Sequence, residues 1–138
     1  MRKPSWLLLI IFFNLCGFFS SAEAIETIAW KKWSRSVFEL AQKEHKLVLI
    51  YGKVSWCHWC QKMDSVSFTD PAVIQLVSHS YIPVKVDIEQ DVAVANRYQI
   101  TEIPSLIVLD AENKELKRFY GYSSSQNLIN KLSGFAQQ

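Results

Sequence analysis

The spacing of hydrophobic residues changes along the chain, and each change marks an element. Trp30, Trp33, Val37, Leu40 and Ala41 recur at steps of three and four, which predicts an amphipathic helix over residues 31–45. Leu47-Val48-Leu49-Ile50-Tyr51 is an unbroken apolar run rich in strand formers, so it reads as a strand buried on both faces. Residues 57 to about 65 are expected to be helical. Thr69-Asp70-Pro71 sets a capping side chain before a proline at a first helical position, predicting a helix over 71–78. Residues 82–88 read as the next strand, 91–98 as a helix and 105–109 as a further apolar strand. The polar turn at 110–114 leads into 115–120, which predicts a hairpin. Ser123, with Gln126 three residues on, resembles a capping box that opens a closing helix to about Phe135.

Strand, helix, strand, helix, hairpin and final helix imply an α/β domain in which helices cover both faces of a mixed central sheet. A chain of 138 residues has room for one ordinary domain with its own core. No internal repeat, low-complexity tract or Pro/Gly-rich linker interrupts it.

The amino terminus reads differently. Arg2 and Lys3 precede an apolar-rich run from Leu7 to Phe19, and Ala22-Glu23-Ala24 follows as a small-x-small cleavage signal. Residues 1–24 are expected to be a cleaved secretory signal peptide, leaving 25–138 as the domain. The run is shorter than the roughly 20 apolar residues of a spanning helix, which argues against a retained anchor. Cys16 would leave with this segment, because the large Leu15 before it does not suit a lipoprotein cleavage box. Of three cysteines only Cys57 and Cys60 would remain, in one C-x-x-C. An exported domain with that pair alone uses it for chemistry or a metal rather than to staple distant elements. Removing two bases (Arg2, Lys3) and one acid (Glu23) takes the formal charge from +2 to +1, with no run of like charge. Nucleic acid and anionic membrane surfaces are therefore not expected partners.

Trp56-Cys57-His58-Trp59-Cys60 carries the candidate chemistry. If a helix starts at the first cysteine, Cys57 lies where unpaired backbone N–H groups and the positive end of the helix dipole favour a thiolate, the nucleophilic form. The order of elements, the W-C-x-x-C at the end of a strand, and Glu102-Ile103-Pro104-Ser105-Leu106 before a later strand resemble the thioredoxin fold over residues 30–135. Within that superfamily Cys60-Gln61-Lys62-Met63-Asp64, Ser67-Phe68-Thr69-Asp70-Pro71 and Val84-Lys85-Val86-Asp87 resemble exported thioredoxin-like reductases and the carboxy-terminal periplasmic domain of DsbD.

That resemblance implies a thioredoxin fold with about four strands, a periplasmic thiol:disulfide oxidoreductase, and specific roles. Cys57 would form a mixed disulfide with the partner and Cys60 would resolve it. Ile103-Pro104 would be the cis-proline element that offers backbone groups to an extended peptide. Trp56 would present an apolar surface beside Cys57. Trp59 would shield the disulfide, widen the contact patch, or pack on the domain's own loops. His58 would stabilise the thiolate when cationic, or stand as an ordinary exposed histidine. Gly121 would border the groove, or serve a turn of positive φ. Thioredoxins place a buried aspartate six residues before the first cysteine, and Tyr51 stands there instead. Asp64 is the candidate replacement as proton acceptor for Cys60, against the alternative of a solvated helix carboxylate.

The implied partners are disulfide-containing exported proteins and a membrane electron donor of the DsbD type, with a monomeric protein and no organic cofactor or metal. Gln61 stands where a c-type haem site needs histidine. Zinc would need about four ligands, and His45, His58 and His79 do not supply them at suitable spacings. A copper-handling protein using the two soft thiolates, and a redox-inactive peptide-binding module, are the rival classes.

Overall fold

The computed structural model describes residues 27–136. The predicted signal segment, with Cys16, lies outside the described residues. The elements run α1 (Ser36–Glu44), β1 (Leu47–Lys53), α2 (His58–Lys62), a π-helical stretch (Met63–Ser67), α3 (Pro71–Ser80), β2 (Tyr81–Asp87), α4 (Val92–Arg97), β3 (Ser105–Leu109), β4 (Glu115–Tyr120) and α5 (Ser125–Ser133).

The four strands form one sheet in the order β2-β1-β3-β4. β1 pairs with β2 in parallel, while β3 runs antiparallel to both β1 and β4. Strict alternation along β1 and β3 splits the core into two layers. Leu49, Tyr51, Leu106 and Val108 face Met63, Phe68, Val73, Val77, Leu128 and Leu132 beneath α2, α3 and α5. Val48, Ile50, Ile107 and Leu109 face Val37, Ala41, Ala95 and Tyr98 beneath α1 and α4. β1 is buried on both faces along its centre, as its unbroken apolar run requires.

Three expectations are corrected. The helix predicted from residue 31 begins only at Ser36. Lys31 instead lies extended beside β2, with its N–H donating to Pro83 O (2.9 Å) and its carbonyl accepting from Lys85 N (3.0 Å). Trp30 and Trp33 fit the helical period by coincidence of spacing: Trp30 packs on Tyr51 and Phe68, and the Trp33 indole N–H donates to the Tyr98 hydroxyl at 2.9 Å. The helix after the cysteines widens into π geometry at Met63–Ser67, where the buried Ser67 hydroxyl donates to Ser123 O at 2.7 Å. The final cap moves by one residue. Ser124 accepts from Asn127 N, while Ser123 is buried with its hydroxyl accepting from Lys131 Nζ (2.8 Å) and is not free to cap. By contrast, Asp70 caps α3 through Ala72 N, with Pro71 at the first position, as expected.

Candidate active site

Cys57 is the N-cap of α2, in extended conformation at the exit from β1, and its sulfur accepts from Cys60 N at 3.2 Å. The two cysteines form a disulfide with their Cα atoms 5.2 Å apart. Cys57 keeps 8% of its surface exposed and Cys60 none. The first cysteine is thus the less deeply buried of the pair. The first turn of α2 thus aims a backbone N–H at the outer sulfur.

Beneath the disulfide lies a polar arrangement that the sequence only partly announces. The Tyr51 hydroxyl donates to Cys60 O at 3.1 Å, and burial, reinforced by the nearby Asp64 charge, pushes its pKa up. It stays a neutral donor through the physiological range. Asp64 is not a solvated helix carboxylate: one oxygen is bound by Lys53 Nζ and the other by Lys85 Nζ at 3.3 Å. Lys85 also lies 5.0 Å from the Trp30 ring centroid. Neither lysine was singled out from the sequence. The available signal was Lys85 itself, a charge within the apolar run of β2 that needs a partner to be tolerated there.

The Ile103–Pro104 peptide bond is cis. Gly121, at φ +80°, donates its N–H to Pro104 O at 2.8 Å, so the positive φ and the link to the proline loop belong to one turn. Ile103 makes no backbone hydrogen bond among the described residues. Trp56 and Trp59, one before and one two places after Cys57 in the chain, stand 68% and 50% exposed. The Trp56 indole donates to Glu89 Oε1 at 2.9 Å. Trp59 meets His58 edge-on at 5.5 Å and leans on Tyr122 at 5.3 Å, while still presenting half its surface. Glu89, Lys62 and Tyr122 were missed by sequence reasoning. Tyr122 carries no sequence signal beyond following Gly121.

Among the described residues there is no cluster of three or more His, Cys, Asp or Glu able to hold a metal ion, and no helix long and apolar enough to cross a membrane. A groove of about 440 Å³ lies at the other end of the sheet between His45, Lys46, His79 and Asp110.

Comparison with known proteins agrees with this geometry. Residues 17–105 match the family described as Thioredox_DsbH, protein of unknown function, DUF255. Human spermatogenesis-associated protein 20 is 34% identical over 67 residues, which are 49% of this chain and 8% of that protein. The thiol:disulfide interchange protein DsbD of Salmonella typhi is 29% identical over 79 residues, 55% of this chain and 14% of DsbD. The chain thus spans a small part of these relatives. A solved DsbH oxidoreductase superposes with a TM-score of 0.70 at 21% identity, covering 83% of this chain and 88% of that one, a likeness of fold. With more than half of its length matched, a mixed four-stranded sheet and a C-x-x-C disulfide just after β1, the chain belongs to the Thioredox_DsbH family and has the thioredoxin fold.

Proposed function

We propose that the protein is exported to the periplasm, with residues 1–24 removed as a signal peptide, and that domain 25–138 reduces disulfides in other exported proteins. The observation that carries this reading is the Cys57–Cys60 disulfide at the start of α2, with Cys57 the less buried of the pair, exposed tryptophans at positions 56 and 59, and no other cysteine among the described residues. Export is supported by Arg2, Lys3, the apolar run and Ala22-Glu23-Ala24.

In the reduced protein the Cys57 thiolate attacks one sulfur of a partner disulfide. The partner S–S bond breaks, its second sulfur leaves as a thiolate and takes a proton from water, and a mixed disulfide remains on Cys57. Cys60 then gives its proton to Asp64, directly or through water, and attacks Cys57 Sγ. The mixed bond breaks, the partner's first sulfur leaves and is protonated, and the Cys57–Cys60 bond forms. The partner gains two electrons and two protons, and a dithiol donor of the membrane DsbD type restores the reduced state. Asp64 lies one turn beyond Cys60 near the Tyr51 hydroxyl, and its two lysine partners hold it in place. Ile103 and cis-Pro104 would receive the partner as an added strand, since the backbone groups of Ile103 stand without backbone partners. Trp56, His58, Trp59 and Gly121 would border that strand.

The test is dithiothreitol-dependent reduction of insulin by the purified protein, with trapping by Cys60→Ser. Turnover in the wild type and a stable Cys57-linked adduct in the variant are expected. Absence of both, with stoichiometric copper in the purified protein, would replace the proposal by a metal-handling function.

A further inference from the structure

We propose that Trp59, Tyr122 and Lys62 form a selectivity wall that favours partners carrying an aromatic residue with an acidic neighbour beside the attacked cysteine. The proposal rests on the oxidoreductase reading above and gives it a substrate preference.

Trp59 lies between the cysteines, half exposed, with its ring 5.3 Å from Tyr122 at an interplanar angle of 44°. The Lys62 ammonium lies 5.3 Å from the Trp59 centroid and 5.1 Å from that of Tyr122. None of the ion pairs among the described residues includes Lys62, so its charge is held by ring faces alone. An incoming carboxylate would find a cation already placed against an aromatic surface.

The wall is fixed before any partner arrives. On one side of Tyr122, Gly121 N donates to Pro104 O at 2.8 Å. On the other side, Ser123 O accepts from Ser67 Oγ at 2.7 Å and Ser123 Oγ accepts from Lys131 Nζ at 2.8 Å. Ordering costs on docking are therefore small for this loop. The opposite border carries the other sign, because the Trp56 indole donates to the Glu89 carboxylate. A docking segment thus meets rings and a cation on the α2 side and a carboxylate on the Trp56 side. A partner ring adds to the Trp59–Tyr122 faces, its acidic neighbour pairs with Lys62, and a basic neighbour at that place meets like charge.

The experiment compares three otherwise identical peptides, each with one internal disulfide flanked by Phe-Glu, Phe-Lys or Gly-Glu, as competing substrates of the reduced protein. Ratios of kcat/KM within one protein sample are insensitive to partial loss of folded protein. In the wild type, Phe-Glu is expected to lead Phe-Lys by about threefold at low salt and Gly-Glu by about fivefold, the scale of an exposed ion pair and of an aromatic contact. Lys62→Glu should reverse the charge preference, Lys62→Arg should keep it, and Tyr122→Ala should erase the aromatic one. Equal treatment of all three peptides by the wild type, or a charge preference that survives Lys62→Glu, overturns the wall. Failure of the wild type to reduce any peptide overturns instead the oxidoreductase reading beneath it.

Discussion

The two ends of the sheet carry their features in opposite ways. At the far end, His45, Lys46, His79, Asp110 and Glu112 line a groove of about 440 Å³, yet its lysine is spent on structure: Lys46 Nζ donates to Ser78 O at 2.9 Å and pairs with Glu44 at 3.0 Å. The ammonium thus satisfies a carbonyl in the last turn of α3 and complements its dipole, while the Lys46 backbone N–H donates to Ala41 O of α1 at 2.9 Å. At the disulfide end Cys57, less deeply buried than Cys60, is bracketed in the chain by two exposed tryptophans. The difference teaches that cavity volume does not mark this site. A protein disulfide is a large substrate that lies on a surface, so aromatic exposure beside a nucleophile is the informative signal.

The sharpest way to break that contrast is to mutate both ends. Cys57→Ser or Cys60→Ser should drop insulin reduction to background, whereas His45→Ala and His79→Ala should leave turnover at the wild-type rate and stability within about 0.5 kcal/mol. Loss of turnover in either histidine variant would move the chemistry to the far groove. Next in size is Gly52→Ala, at the end of β1 nearest the cysteines. A Cβ there would lie 2.8 Å from both Ile100 Cγ2 and Ser105 Oγ, so urea denaturation should show a loss of about 1–3 kcal/mol.

Asp64→Asn should slow resolution of the mixed disulfide on the order of tenfold at pH 7, below the usual span for a general base because a thiol also ionises unaided. Stopped-flow rates equal to wild type across pH 5 to 9 would remove Asp64 from the proton path.

The smallest effects come from two buried tyrosines, one at each end. Tyr51 donates to Cys60 O and Tyr81 to Leu132 O at 2.6 Å, and burial pushes both hydroxyls above their usual pKa of 10.0. Above about pH 10 the unfolded chain therefore releases protons that the native state keeps, so stability should fall as pH rises past that point and be flat below it. Tyr51→Phe and Tyr81→Phe should each cost about 1 kcal/mol near neutrality and each lessen the alkaline fall. Only the Tyr51 change should also alter the redox potential, since its partner is a cysteine carbonyl. Equal potentials in the two variants would deny Tyr51 that influence.

Much of this was legible in the order of residues. The hairpin at 105–120 has the predicted bounds, because apolar alternation and a polar turn act locally. The disulfide pair and the cap of α3 were equally readable, being set by residues a few positions apart. What escaped depends on long-range partners. Trp30 and Trp33 left their helical period for rings and a hydroxyl far along the chain, and Ser123 gave up its cap to Lys131 and Ser67. The resemblance to DsbD-like domains points to Asp64, one turn after Cys60, but its lysines come from two different strands. Tyr122 became visible only when the Gly121 turn brought it onto Trp59.

The most direct test of the central claim is equilibration of the protein in graded glutathione buffers, followed by alkylation mapping of Cys57 and Cys60. A single reversible two-electron transition is expected, with a potential towards the thioredoxin value of about −270 mV. Two cysteines that resist alkylation at every poise would contradict the account, and a reversible potential near −120 mV would contradict its direction of electron flow.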